Sequence, residues 1–160
     1  MEGNKNQPRA ILVFGAPCSG KTTFCDKFSH RFKLPFLNFS ELATEYDFTH
    51  DQIMIALDLV TQTGHDLIIE GGLDTESERR YLRRVLKNAG YSTSLIWIQT
   101  DINTIKYRLK TRLKSITKAK TIFEKRTNAI EAPAEREAPI VISGKHTFKT
   151  QLSHVLSQLA

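Results

Sequence analysis

A short apolar segment that ends in a glycine-framed loop constrains the fold of this chain most strongly. Residues 10–14 form an unbroken apolar run, which is typical of a strand buried on both faces of a parallel sheet. Residues 15–22 then fit the pattern G-x-x-x-x-G-K-[ST], and a helix is predicted over residues 21–32. This order of strand, loop and helix is the context that the pattern requires, so we expect a phosphate-binding loop.

Each part of the loop has a physical reason. Gly15 and Gly20 permit backbone angles that other residues avoid, so the loop can turn its N–H groups around a phosphate. The helix that follows adds the positive end of its dipole. Lys21 can reach the β- and γ-phosphate oxygens, Thr22 can ligate Mg²⁺, and Thr23 is within reach of the α-phosphate. The predicted nucleotide-binding residues of this loop are Gly15, Ala16, Pro17, Cys18, Ser19, Gly20, Lys21, Thr22 and Thr23.

Strand and helix signals alternate along the rest of the chain. Capping boxes at Thr49/Gln52 and Thr75/Glu78 predict two helix starts, and Asp101 and Thr147 are candidate N-caps for two more. A basic helix is predicted over residues 114–128, and a loop over residues 131–137. Further strands are predicted over residues 35–37, 66–70, 91–99 and 139–142. The alternation predicts right-handed βαβ units and a three-layer α/β/α sandwich with a five-stranded parallel sheet.

Length and composition fit one globular domain. The chain has 160 residues, 40% of them apolar and 25% charged, so we predict a single domain over residues 1–160. The apolar runs are too short to span a bilayer. The first nine residues are polar, which argues against a signal peptide, and the two cysteines have no metal-binding or redox spacing. These features predict a cytoplasmic protein that does not associate with a membrane.

Positive charge is concentrated in one part of the chain. Residues 79–126 contain fourteen Lys or Arg and two acidic residues, a balance of +12, although the whole chain carries only +6. Such a segment suggests a surface that meets phosphate, on a nucleotide, a nucleic acid or a phosphorylated metabolite. The alternative is a solvated helix face, particularly for Arg79, Arg80, Arg83, Arg84 and Lys87.

The loop, the chain length and the strand–helix order resemble the small P-loop kinases. This group includes nucleoside monophosphate kinases, shikimate and gluconate kinases, and the polynucleotide-kinase and zeta-toxin group. The resemblance covers roughly residues 9–159. Its specific motifs are the phosphate loop and a basic lid region. It implies a P-loop fold that binds ATP and Mg²⁺. The implied activity is transfer of the γ-phosphate to a small-molecule or nucleotide acceptor, on a hydroxyl or a phosphate.

The resemblance also suggests roles for acidic residues. Glu70 ends a predicted strand, where these kinases often carry a metal-binding Asp, so Glu70 is the candidate Mg²⁺ ligand and a departure from the pattern. It could act instead on the acceptor hydroxyl or cap the next helix, with Asp74 in reserve. Ser40 stands where polynucleotide-like kinases carry a general-base Asp, which leaves Glu41 as the candidate base.

Further residues match the lid and the nucleotide-binding loop of these kinases. Arg108 and Arg112 correspond to an Arg-x-x-x-Arg pair at the start of a mobile lid, predicted here over about residues 112–136. The resemblance implies that one arginine packs near the adenine and the other binds the transferring phosphoryl group. Gly144 would let a loop approach the adenine. The lysines and arginine expected to complete the lid are Lys118, Lys120, Lys125 and Arg126.

Two other functional classes compete with a kinase. A non-kinase P-loop NTPase is one, although the Asn-Lys-x-Asp base-reading motif of GTP switches is absent from the sequence. The other is a nucleic-acid-binding protein. The sequence has neither an aromatic-rich ribbon nor a zinc-binding spacing of Cys and His that would support this class. A kinase acting on a 5′-hydroxyl polynucleotide lies between these classes. The sequence leaves the acceptor and the oligomeric state open.

Overall fold

A computed structural model describes residues 7–113 and 116–159, with side chains for all of these except 113, 116–120 and 122. Five strands form one sheet in the order β2-β3-β1-β4-β5, and every pairing is parallel. The strands are β1 (Arg9–Phe14), β2 (Phe36–Asn38), β3 (Leu67–Glu70), β4 (Ser92–Gln99) and β5 (Ile140–Ser143). Their bounds differ from the predicted ones by at most one residue at either end.

The helices cover both faces of the sheet and complete three layers. They are α1 (Lys21–Phe32), α2 (Phe39–Thr44), α3 (His50–Thr61), α4 (Glu76–Asn88), α5 (Ile102–Leu113), α6 (Ile116–Thr127) and α7 (Phe148–Leu159). Both predicted capping boxes are present at the starts of α3 and α4. Asp101 accepts a hydrogen bond from the Thr104 N–H, as expected for an N-cap.

Alternate residues of the strands enter two separate apolar layers. Leu12 and Phe14 of β1 pack in the layer that holds buried side chains of α3 and α4, such as Leu57 and Leu82. Ile11 and Val13 pack in the other layer, with α1 and α7. The central strands β1 and β3 are buried on both faces, and helices cover both sides of the parallel sheet, so the sandwich predicted from the sequence is confirmed. Among the described residues, no helix is long and apolar enough to cross a membrane.

A third apolar cluster joins α5 and α6 to the glycine-framed loop. Ile105 and Leu109 of α5 and Phe123 of α6 are buried together, and Ala16 and Cys18 of the loop pack against them. The base of the predicted lid therefore rests directly on the loop that follows β1.

One expectation about charge is wrong. Arg79, predicted to face phosphate or solvent, is fully buried and paired with Glu137. Glu137 lies in a 3₁₀ turn, Glu135–Glu137, inside the segment predicted as a loop. Arg80, Arg84 and Lys87 are exposed, in agreement with the solvated-face alternative.

Candidate functional site

The loop after β1 closes over the first turn of α1. Lys21 Nζ donates hydrogen bonds to the Gly15 carbonyl at 2.9 Å and the Ala16 carbonyl at 2.8 Å. A Cβ on Gly15 would lie 2.3 Å from the Ile98 carbonyl oxygen, so only glycine fits between the loop and β4. Burial lowers the pKa of Lys21, with Glu70 as the main opposing charge. The lysine is thus held at the mouth of the loop with its donors on backbone oxygens.

Glu70 and Thr22 meet at the carboxyl end of the sheet. The parallel register places Glu70 beside Val13, two residues before the loop begins. Thr22 Oγ1 donates a hydrogen bond to Glu70 Oε1 at 2.9 Å, whereas Glu70 Oε2 is buried without a hydrogen-bond partner. Burial raises the pKa of Glu70, and the nearby Glu41 carboxylate adds to this, while Lys21 and the Thr22 hydroxyl oppose it.

This pair of oxygen ligands fits Mg²⁺. The ion prefers hard oxygen ligands and is usually held by one or two protein groups, with waters and phosphate oxygens completing its octahedron. The unpaired Oε2 of Glu70 beside the Thr22 hydroxyl supplies such a start. The described residues contain no group of three or more His, Cys, Asp or Glu placed to hold a metal.

Arg108 links three elements around the phosphate loop. Its Nη1 donates to the Cys18 carbonyl at 3.1 Å, and its Nη2 donates to the Gly144 carbonyl at 3.0 Å. The guanidinium thus joins α5, the phosphate loop and the turn after β5. Arg112, one helical turn further along α5, lines the same cleft and is exposed.

The cleft beside Arg108 has a volume of about 650 Å³, which is within the usual range for small-ligand sites. Side chains or backbone of the phosphate loop, α5 and the start of α7 line it. Tyr107, which the sequence analysis did not single out, is 73% exposed and forms part of its wall. The cleft residues from the predicted set are Cys18, Gly20, Lys21, Thr22, Thr23, Arg108, Arg112 and Gly144.

Gly144 is packed against the phosphate loop. A Cβ at this position would lie 1.9 Å from the Ser19 carbonyl oxygen and 2.1 Å from Thr100 Oγ1. The Thr100 hydroxyl donates to the same Ser19 carbonyl at 2.9 Å. The glycine therefore lets the turn after β5 close onto the loop, while its own carbonyl receives Arg108.

Two further acidic residues lie near Lys21 and Glu70. Glu41, half-buried on α2, is close enough to raise the pKa of Glu70. Burial raises the pKa of Asp74, and the negative charge of Glu78 raises it further, whereas the positive charges of Lys21 and Arg126 lower it. Asp74 therefore shares the electrostatic environment of the phosphate loop, and α6 brings Arg126 toward the same region.

The predicted lid is only partly described. Lys125 and Arg126 of α6 are exposed. Lys118 and Lys120 were also expected to face the nucleotide, but their side chains lie outside the described residues. The segment after α6 returns to α4, where the Arg79 guanidinium binds the Glu131 carbonyl and the Glu137 carboxylate. The periodicity of α4 gave no signal for this contact, because both partners lie more than fifty residues away.

Comparison with known proteins identifies the fold. No protein-family model matches the chain, and no curated protein matches it by sequence. A gluconokinase from Sinorhizobium meliloti 1021 has a TM-score of 0.68 at 14% identity, covering 96% of this chain and 92% of its own. A sugar kinase from Janibacter sp. HTCC2649 has a TM-score of 0.67 at 17% identity, covering 96% and 95%.

An APS kinase, CysC of Mycobacterium tuberculosis, was solved in complex with AMPPNP and APS. It has a TM-score of 0.59 at 13% identity, covering 96% of this chain and 98% of its own. The chain therefore shares the fold of these solved kinases, the fold that the resemblance of its loop implied.

Proposed function

We propose that this protein is an ATP-dependent kinase that transfers the γ-phosphoryl group to a small-molecule or nucleotide acceptor. The observation that carries the proposal is the arrangement at the end of β1 and β3. Lys21 lies over the loop carbonyls, and the Thr22 hydroxyl contacts a buried carboxylate with one unpaired oxygen. Structural neighbours that are kinases, over nearly the whole chain, support it.

Each residue has a role in this scheme. The amides of residues 15–20 and Lys21 bind the β- and γ-phosphates, and Thr23 binds the α-phosphate. Thr22 and Glu70 hold Mg²⁺, which neutralises phosphate charge when bound. Arg112 stabilises the transferring group from α5.

The remaining groups position the nucleotide and the acceptor. Arg108 fixes the phosphate loop against the Gly144 turn, where the base would lie. Glu41 is the carboxylate available to take a proton from an acceptor hydroxyl, because Glu70 is engaged with Thr22. An acceptor that already carries a phosphate would not need this base.

The first test removes the lysine of the loop. Lys21→Ala should abolish phosphoryl transfer from labelled ATP, because the γ-phosphate loses its principal cation. Lys87→Ala, which removes an exposed lysine of α4, is the matched control and should retain full transfer. Circular dichroism of both variants should match the wild-type protein. A folded Lys21→Ala protein that transfers phosphate at the wild-type rate would refute the proposal.

The acceptor is sought with the same assay. Labelled ATP is incubated with nucleosides, nucleotides, sugars, and 5′-hydroxyl DNA and RNA oligonucleotides, and label is followed into each compound. Transfer to one class identifies the acceptor. Release of labelled phosphate with no acceptor at all would instead support a non-kinase NTPase. Label on an oligonucleotide would identify a polynucleotide kinase activity.

A further inference from the structure

A second cavity lies between α2, α3 and α4 and has a volume of about 350 Å³. Its walls are mainly apolar and include Phe39, Phe48, Met54, Tyr81 and Leu82. Two of the aromatic rings remain accessible, since Phe48 is 37% exposed and Tyr81 is 40% exposed. The cavity is therefore open to solvent yet lined by aromatic faces, which is typical of a site that receives a small ligand.

The cavity begins beside the proposed phosphoryl-transfer site. Gly72, two residues after Glu70, forms part of its wall. Ser40, another wall residue, contacts the intervening glycine so closely that a Cβ on Gly71 would lie 2.7 Å from Ser40 Oγ. Glu41 follows Ser40 and lies within electrostatic reach of Glu70. Both carboxylates thus belong to residues next to or close to wall residues in the chain, Glu41 after Ser40 and Glu70 before Gly72.

The polar groups of the cavity are few. Glu78 contributes to the wall, but its carboxylate already accepts hydrogen bonds from the Thr75 N–H and hydroxyl. His50 lies beside the Tyr81 ring, with 6.3 Å between the ring centroids. No Lys or Arg is found among the described residues that line the cavity. Binding of a phosphate there would lack a cation, and a polyhydroxylated sugar would lack enough hydrogen-bond partners.

We propose that this cavity binds an uncharged planar ring of the phosphoryl acceptor, and that the acceptor is a hydroxyl compound carrying such a ring. This inference rests on the proposed kinase function, because it assigns the acceptor of that reaction. The ring stacks on Phe48 and Tyr81, and its hydroxyl-bearing substituent points to Glu41 and Glu70. In the transfer, the hydroxyl oxygen bonds to the γ-phosphorus, ADP leaves, and the hydroxyl proton passes to Glu41.

Met54 provides a direct readout of the cavity. The chain contains two methionines, Met1 and Met54, so a protein labelled with ¹³C at the methionine methyl groups gives two signals. Loss of one signal in Met54→Leu assigns it. The full-length protein is then titrated with uridine, thymidine and 2-phenylethanol as ring compounds, and with gluconate and inorganic phosphate as ring-free compounds.

We expect at least one ring compound to shift the Met54 signal in a saturable manner, and neither ring-free compound to do so. Phe48→Ala should weaken that binding by at least roughly tenfold, since an aromatic stacking partner is lost. Tyr46→Ala, which removes a tyrosine 61% exposed on the neighbouring connection, is the control and should leave the affinity unchanged. Both variants should bind ATP like the wild-type protein.

The outcomes separate the two proposals. Phosphoryl transfer to a ring-free acceptor, or a Met54 signal that no ring compound moves, would overturn the assignment of the cavity and leave the kinase proposal intact. A saturable Met54 shift in a protein that binds no ATP would refute the kinase function instead. If the compound that shifts the Met54 signal also becomes labelled from ATP, the result would support both the kinase function and the assignment of the cavity.

Discussion

At the scale of single residues, Glu70 is the most constrained group of the candidate site. It is only 5% exposed, and one of its oxygens has a hydrogen-bond partner while the other has none. A charged carboxylate in this environment costs stability unless a cation or donors compensate it. A cation bound at its unpaired oxygen would offset this cost.

Glu70→Gln should stabilise the fold at neutral pH and abolish phosphoryl transfer. Because burial raises the pKa of Glu70, ionisation of this group in the folded state destabilises the protein above that raised pKa. The midpoint of thermal unfolding at pH 7.5 should rise by a few degrees, since about 1 kcal/mol shifts it by ~2–4 °C in a domain of this size.

The stability difference between Glu70→Gln and the wild-type protein should depend on pH. As the pH falls through the raised pKa, Glu70 becomes protonated in the wild-type protein, so the stability difference from Glu70→Gln should disappear below the ordinary glutamate value. Glu45→Gln, at an exposed position, should show no such difference. A Glu70→Gln protein less stable than the wild type at pH 7.5 would show that the charge itself supports the fold.

The arrangement of β1, the glycine-framed loop and α1 could be predicted because its pattern is encoded within a short run of consecutive positions. Lys21 and Thr22 were singled out by the spacing of the motif, and Glu70 by its place at the end of a predicted strand together with the resemblance to P-loop kinases. Arg79 was misread because its partner Glu137 is 58 positions away, and helical periodicity alone does not separate a buried arginine from an exposed one. The cavity around Phe48 was missed because its walls come from three helices.

At the scale of elements, α4 binds the segment that follows α6, including Glu131 and Glu137. Arg79 donates through Nε and Nη2 to the two oxygens of Glu137, at 2.7 and 3.1 Å. Its Nη1 donates to the carbonyls of Leu73, Asp74 and Glu131. One guanidinium therefore joins the loop after β3, the helix α4 and the segment after α6, and its face also lies over the Phe14 ring.

Arg79→Met should destabilise the protein strongly. Glu137 would remain buried without its cation, and breaking a buried ion pair on one side costs about 3–5 kcal/mol. The midpoint of thermal unfolding should then fall by roughly 10 °C. Scanning calorimetry at pH 7.5 measures this shift.

A double variant separates the charge from the packing. Arg79→Met combined with Glu137→Leu removes both charges, so a substantial part of the lost stability should return. Arg80→Met, at the adjacent exposed position, should change the midpoint little. If Arg79→Met alone unfolds at the wild-type temperature, the ion pair contributes nothing to the fold.

Most elements of the fold could be predicted because strand and helix signals are local. The apolar runs of β1, β3 and β4 and the capping boxes of α3 and α4 depend on neighbouring residues only. Helix α2, which the sequence analysis did not predict, has six residues and begins directly after β2 with Asn38 as its N-cap. A helix this short is stabilised mainly by tertiary packing, for instance of Phe39 in the core, and so has little sequence signal of its own.

At the scale of the whole molecule, the cleft depends on three chain segments that meet only in the folded state. The phosphate loop follows β1, Arg108 comes from α5, and Gly144 follows β5. The two hydrogen bonds of Arg108 connect all three segments. The cleft is therefore assembled by the topology of the sheet, which brings the carboxyl ends of parallel strands to one edge.

Arg108→Ala should weaken nucleotide-induced stabilisation of the whole domain. A ligand at about a hundred times its dissociation constant stabilises the native state by ~2.7 kcal/mol, so Mg²⁺-ATP should raise the wild-type unfolding midpoint by several degrees. Without Arg108 the loop and the Gly144 turn lose the hydrogen bonds that join them to α5, and the rise should shrink by at least half. Lys106→Ala, an exposed position on the same helix, should retain the full rise. Tripolyphosphate, which lacks a base, should stabilise the wild-type protein less than ATP does. An equal rise for Arg108→Ala and the wild type with Mg²⁺-ATP would show that the cleft forms its nucleotide site without this arginine.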